Sequence, residues 1–150
     1  MCGLVGTLLY PEARATEQLR RLLEITTANL LGNEERGKDA AGIAVIRQDG
    51  SCRVFKQPVR ASDLVAMPGY DELLRSVDQQ TVCILAHTRM PTKGSRWHNA
   101  NNHPIRAGHV VGVHNGVFEN DDELFAAYQL PREGEVDSEI VFRLQDLIDP

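Results

Sequence analysis

The sequence predicts an α+β fold, on three observations. Leu19, Leu22, Leu23, Thr26 and Leu30 recur at the spacing of one helix face. The pair Asp49-Gly50 separates two β-prone runs, AGIAVIR and CRVFKQ, which marks a hairpin. Strand-like and helix-like segments then mix without the strict βαβ alternation of a doubly wound sheet. The 150 residues suit one domain, residues 1–150.

Taken in order, residues 2–9 read as a short apolar strand. The helix over 16–31 has Thr16 as its cap and Gly32 as its stop. The charged loop NEERGKD precedes the hairpin. Residues 61–77 read as a helix interrupted at Pro68-Gly69, and 82–88 as a buried-type strand. The polar segment from Arg89 to Gly108 is the richest turn region, and loops of that length are often functional. Residues 108–116 read as a further strand. A helix over 120–128 follows, with Asn120 as cap and Glu123 three residues on. Asp137 starts a last helix whose apolar face holds Ile140, Val141, Leu144, Leu147 and Ile148.

Composition narrows the function. Apolar residues make up 42% and charged residues 25%, which permits an ordinary core. A net charge of -5 argues against a nucleic-acid or membrane-surface binder. The N-terminus has no early positive charge and does not read as a secretory signal. Cys2, Cys52 and Cys83 form no C-x-x-C pair, so neither a disulfide framework nor a metal centre is expected, and a reducing, cytoplasmic setting fits. His87, His98, His103, His109 and His114 carry no zinc spacing.

Cys2 is the residue with chemistry to offer. Removal of Met1 would make it the first residue and give it its own base. A free α-amine titrates near pH 8 and a free thiol about half a unit higher, so the amine can take the thiol proton. On Cys2 alone a small apolar residue opening a strand is the better reading. Five further segments alter that balance: RGKDAAGIA at 36–44, AHTRMPTKG at 86–94, NNHPI at 101–105, HNGVFEN at 114–120 and VDSE at 136–139. With MCGLVG at 1–6, this ordered series resembles the class II glutamine amidotransferases, the N-terminal-nucleophile glutaminase domains of amide-transferring synthases. The resemblance covers essentially the whole chain.

The resemblance implies the αββα four-layer sandwich of N-terminal-nucleophile hydrolases. It also implies a reaction, hydrolysis of L-glutamine to glutamate and ammonia through a γ-glutamyl thioester on Cys2. It assigns the oxyanion hole to the Asn115 side chain and the Gly116 backbone N–H, where the bland alternative is an Asn-Gly turn. It gives Arg89 the substrate carboxylate and Asp137 the substrate ammonium, helped by backbone groups near Thr92 and Gly116. A structural ion pair for Arg89 and a helix cap for Asp137 are the plainer readings. Gly37 and Gly42 shape the pocket floor. His87 reads as a near-core histidine, Asn102 and His103 as scaffolding, and Trp97 as a cover for the site or for the core. Cys52 and Cys83 read as buried and inert.

The chain also departs from that family. Aminosugar synthases carry Trp-Ala-Thr-His where this chain has Met90-Pro91-Thr92-Lys93, and amidophosphoribosyltransferases prefer Tyr at the position of Met90. The flexible Met90 would fill the Trp space loosely, Lys93 would add charge that aids carboxylate binding, and Ala40 replaces a common Ser. Family domains continue well past the Asp-Ser-Glu helix, so the sandwich is expected to be incomplete at the C-terminus: a truncated domain, a naturally short variant or a chain completed by a partner. Unpaired sheet edges would invite association, a homo-oligomer included. The partners expected are L-glutamine and a synthase domain or subunit that accepts ammonia in trans. No cofactor is expected. Alternatives are a catalytically silent glutamine-binding or regulatory subunit, and an N-terminal-nucleophile amidase acting on another amide.

Overall fold

The computed structural model describes residues 1–10 and 12–148. Helices and antiparallel sheets mix, in keeping with the α+β expectation. Four strands form the main sheet in the order β1-β4-β2-β3. They are β1 Gly3–Leu8, β2 Ala40–Arg47, β3 Cys52–Gln57 and β4 Thr81–Arg89. The first strand lies against β4 with Gly3 opposite Thr88 and Leu8 opposite Cys83. The hairpin of β2 and β3 turns where Asp49-Gly50 predicts it.

Side chains alternate between the two faces of the sheet, and β2 is buried on both. Val5, Ile43, Val45, Ile84 and Ala86 form one core with Leu30, Leu64, Tyr70 and Leu73. The last four come from α1 Thr16–Gly32, α2 Ala61–Val65 and α3 Pro68–Leu74, so these three helices cover that face. The break between α2 and α3 falls at Pro68, the first residue of α3, with Met67 extended before it. One sequence expectation is corrected at α1. Ala15, not Thr16, stands at the N-cap, and its N–H is accepted by Gln18 Oε1 at 2.8 Å.

The other face of the main sheet receives the segment around His103 and Pro104. A Cβ at Gly42 would stand 2.2 Å from the His103 carbonyl oxygen, so the two backbones meet there only because position 42 is glycine. That segment leads into a second, two-stranded sheet, β5 Ile105–Ala107 and β6 Val110–Gly112. Residues 108–116 therefore do not make one strand. Gly108 turns the chain at φ 58°, and the Asp146 carboxylate accepts the His109 N–H at 2.6 Å, which favours a tight hairpin. Helix α4 spans Asp121–Tyr128 and α5 spans Glu139–Ile148.

Ile105, Ala107, Val136 and Phe142 form a small core between the hairpin and α5. The expected apolar face of α5 holds only in its first half. Ile140 is buried, whereas Leu147 and Ile148 are 53% and 76% exposed. Asn120 precedes α4 without a side-chain cap; Asp121, Asp122 and Glu123 fill its first turn and favour the positive helix end. No helix among the described residues is long and apolar enough to cross a membrane.

The core assignment gives a stability prediction. Ile43 is fully buried and Leu8 is 84% exposed. Ile43→Ala should lower the unfolding free energy by about 2–5 kcal/mol in urea titration. Leu8→Ala should change it by no more than about 0.5 kcal/mol.

Candidate active site

The pairing of β1 with β4 carries Cys2 to the start of the loop that leaves β4. Cys2 Sγ lies 3.3 Å from the Met90 backbone N–H donor and 3.5 Å from the Met90 carbonyl oxygen. The Cys2 carbonyl accepts from Arg36 Nε at 3.2 Å. A cavity of about 410 Å³ opens at this point, walled by Met90, Pro91 and Thr92 on one side and Asn115, Gly116 and Val117 on the other. With Met1 present, its ammonium stands 3.2 Å from Met90 Sδ at the cavity's edge.

The loop after β4 is held from below by Arg89. This side chain is 3% exposed. Its guanidinium donates to Asn102 Oδ1 at 2.9 Å, to the Lys93 carbonyl at 2.7 Å and to the Gly94 carbonyl at 3.0 Å. Burial lowers its pKa, opposed by nearby Cys2, Asp137 and Asp39. The carbonyl of Arg89 accepts from Asp39, and a Cβ at Gly37 would stand 2.5 Å from the Arg89 backbone. RGKDAAGIA thus packs beneath the site through two glycines at points of contact.

The Asn115-Gly116 segment is fixed at three points. His87 Nε2 donates to the His114 carbonyl at 3.1 Å. His114 Nδ1 meets Ser138 Oγ at 2.9 Å, and its ring stacks on Phe118 with centroids 4.8 Å apart. Asp137 Oδ2 accepts the Phe118 N–H at 2.6 Å. Asp137 is 1% exposed, and its carboxylate ties the segment to the start of α5 instead of capping that helix. A side chain at Gly116 would collide with the His114 ring, 2.7 Å from Nε2.

Behind this segment His87 and His103 stack with centroids 4.4 Å apart, and His103 meets Phe142 edge-on. His87 Nδ1 and both ring nitrogens of His103 are buried without a partner. Burial lowers the His87 pKa to about 4, with Arg89 and His114 adding to the fall and the bond to His114 opposing it. Burial pushes His103 well down too, helped by the neighbouring His87, Arg89, Lys56 and His114. Lys56 donates to the carbonyls of Asn102 and Pro104 at 2.6 and 3.0 Å, and burial lowers its pKa to about 8.

The structure thus brings Cys2, Thr92, Asn115 and Gly116 to one cavity, and it leaves Arg89 and Asp137 buried outside the lining. Trp97 covers neither site nor core. It is 70% exposed, with the Arg96 guanidinium 4.6 Å above its ring. Lys93 does not face the cavity; its Nζ is engaged by Asp121 and Asp122. Cys52 and Cys83 are half-buried, and burial raises both thiols. Sequence reasoning missed His114, Ser138 and Asp121 as holders of the site. The first two stand inside the quoted motifs HNGVFEN and VDSE, so the signal was present but unread. A separate cleft holds Arg47, Arg53 and Arg75, each paired with a carboxylate, Asp78, Glu72 and Asp71. Among the described residues no His/Cys/Asp/Glu cluster fits a metal ion.

No family model matches the chain. Individual relatives do. A glutamine–fructose-6-phosphate aminotransferase (isomerizing) of Staphylococcus epidermidis is 33% identical over 149 residues, 97% of this chain and 22% of the relative. Its counterpart in Staphylococcus aureus is 34% identical over 148 residues, 96% of this chain and again 22% of the relative. The N-terminal domain of those aminotransferases is a class II glutamine amidotransferase domain, and the chain is similar to it along nearly its whole length. It spans about a fifth of the length of these relatives.

The buried histidines set a pH dependence. Both lose basicity on folding, so the unfolded chain binds more protons between about pH 6.5 and pH 4. Their contribution is complete above the unfolded value and is lost as the pH falls through the folded one, by about 3 kcal/mol for His87 alone. Urea midpoints should fall steadily from pH 7 to pH 4, and His103→Phe should reduce that slope. A flat profile in the parent chain would contradict this assignment.

Proposed function

We propose that the chain is the glutaminase domain of an amidotransferase, with Cys2 as an N-terminal nucleophile once Met1 is removed. The observation that carries this reading is the meeting of Cys2 Sγ, Asn115 and Gly116 at one cavity, from strand and loop segments more than a hundred residues apart. The order of layers supports the αββα reading of the fold: α1–α3 cover one face of the main sheet, and the other face meets a segment leading into a hairpin backed by α5.

In the proposed reaction the Cys2 α-amine takes the thiol proton, and the thiolate attacks the glutamine side-chain carbonyl carbon. The C=O π pair moves to oxygen, where the Asn115 side-chain N–H and the Gly116 N–H stabilise it. The tetrahedral intermediate collapses with cleavage of the C–N bond, and the ammonium form of the terminus protonates the departing ammonia. A γ-glutamyl thioester remains. Water adds to it with the amine as base, releasing glutamate and restoring the thiol. The acceptor of ammonia is a synthase domain or subunit, the role that the names of the relatives suggest.

Arg89 and Asp137 fit the α-carboxylate and α-ammonium of free glutamine by charge. Arg89 keeps its Nε–H and one Nη1–H beyond the hydrogen bonds it makes to Asn102, Lys93 and Gly94. Asp137 keeps a second carboxylate oxygen beyond the bond to Phe118. Small movements of these buried groups, or a water between, would bring them into contact with substrate.

Ammonia release from glutamine by the chain beginning at Cys2 is the direct test. Cys2→Ala should abolish it. Asn115→Ala should lower kcat about 10²–10³-fold with the fold intact by circular dichroism. Glutamine binding by calorimetry without ammonia release would favour the silent subunit, and turnover of another amide alone would favour a different amidase.

A further inference from the structure

The cavity at Cys2 has two walls that reach it from separate parts of the chain. Met90–Thr92 follow β4, and Asn115–Val117 follow β6. One side chain, just past the first segment, reaches the start of the helix that follows the second. Lys93 Nζ lies 2.7 and 2.9 Å from the oxygens of Asp121, and 3.3 and 3.4 Å from those of Asp122. Asp121 and Asp122 open α4, five and six residues beyond Gly116.

The two carboxylates are not equivalent. The Asp121 side chain is 3% exposed and also accepts from Arg132 Nη2 at 2.8 Å, whereas Asp122 is 73% exposed. A carboxylate held out of water depends strongly on its partners. Arg132 is itself fixed, donating to the carbonyls of Gly134 and Glu135 and lying 4.6 Å above the Phe125 ring. Asp121 is therefore a stationary anchor. Lys93 is held to it at one end, and its backbone carbonyl is held by Arg89 at the other. The pair links the residue after the first wall to the helix that begins four residues after the second.

We propose that Lys93 is a positioning residue whose ion pair with Asp121 clasps the two walls of the Cys2 cavity at their spacing. This rests on the glutaminase reading only for its catalytic consequence. A looser pair of walls would bind glutamine less well without altering the nucleophile, so the clasp governs KM more than kcat. Lys93 is 39% exposed, and an ion pair open to solvent on one side weakens with salt. The clasp thus makes affinity for the substrate sensitive to ionic strength.

Lys93→Met and Lys93→Arg test this by steady-state kinetics and by amide hydrogen exchange of the whole chain. Lys93→Met should raise KM for glutamine about tenfold with kcat within about threefold, and it should speed exchange in 90–94 and 115–118 together. Lys93→Arg should restore both. Raising sodium chloride should increase KM in the parent chain and leave that of Lys93→Met unchanged. Faster exchange in only one segment, or an unchanged KM in Lys93→Met, would overturn the clasp. Absence of glutamine turnover in the parent chain would instead remove the catalytic reading, and the coupled exchange of the two segments would still decide the clasp.

Discussion

Six residue pairs hold β1 against β4, from Gly3–Thr88 to Leu8–Cys83, and the rest of the site depends on that register. A slip of one residue would turn Val5 out of the core and send every side chain of β1 to the opposite face. Cys2 Sγ would then leave the Met90 peptide. The first pair is locked sterically as well. A Cβ at Gly3 would stand 2.5 Å from Asn33 Cβ and 2.7 Å from Thr88 Oγ1, and the same hydroxyl accepts the Gly3 N–H at 3.2 Å. Thr88 in turn donates to the Asn33 carbonyl at 2.8 Å. Cys2 is thus placed by a strand whose position is decided by the end of helix α1 on one side and β4 on the other.

Around that strand end the protein uses buried polar groups rather than apolar packing. Arg89, Asn102, His87, His114, Asp137 and Asp121 each hold a loop, and most bond to backbone atoms. Such contacts fix loop geometry more sharply than methyl groups do, since a buried partner left unpaired is costly. Three histidine nitrogens nevertheless lack partners among the described residues, and the cations Arg89 and Lys56 stand near enough to oppose protonation. Burial lowers the basicity of both histidines, and the charges that organise the loops add to that. Their place behind the Asn115 segment is as support, and the base for Cys2 is sought in its own terminus.

Much of this was legible in the sequence because local signals and tertiary needs agree. Asp49-Gly50 turns a hairpin, Pro68 divides two helices, and the leucines of α1 meet the sheet. The motif order around Cys2, Arg89, Asn115 and Asp137 marked the segments that converge. What escaped depends on contacts distant in sequence. Lys93 reads as a charge that aids carboxylate binding until Asp121, 28 residues on, is folded beside it. Asp137 reads as a helix cap until the Phe118 N–H arrives. Of the strand expected over 108–116 only Val110–Gly112 forms: Gly108 turns the chain into it, and beyond it His114 is held by His87 and Ser138. Trp97 and Ile148 are apolar by type and exposed by position, which no periodicity could reveal.

The proposed function puts the chemistry on the thiol at position two, and its identity as an N-terminal nucleophile is the claim on which that proposal stands. Intact-mass and peptide mass spectrometry after treatment with a glutamine-mimicking electrophile addresses it most directly. The account predicts one adduct per chain, on Cys2, in molecules that begin at Cys2, with Cys52 and Cys83 unlabelled. Equal labelling of chains that retain Met1, or labelling spread over the three thiols, would contradict it.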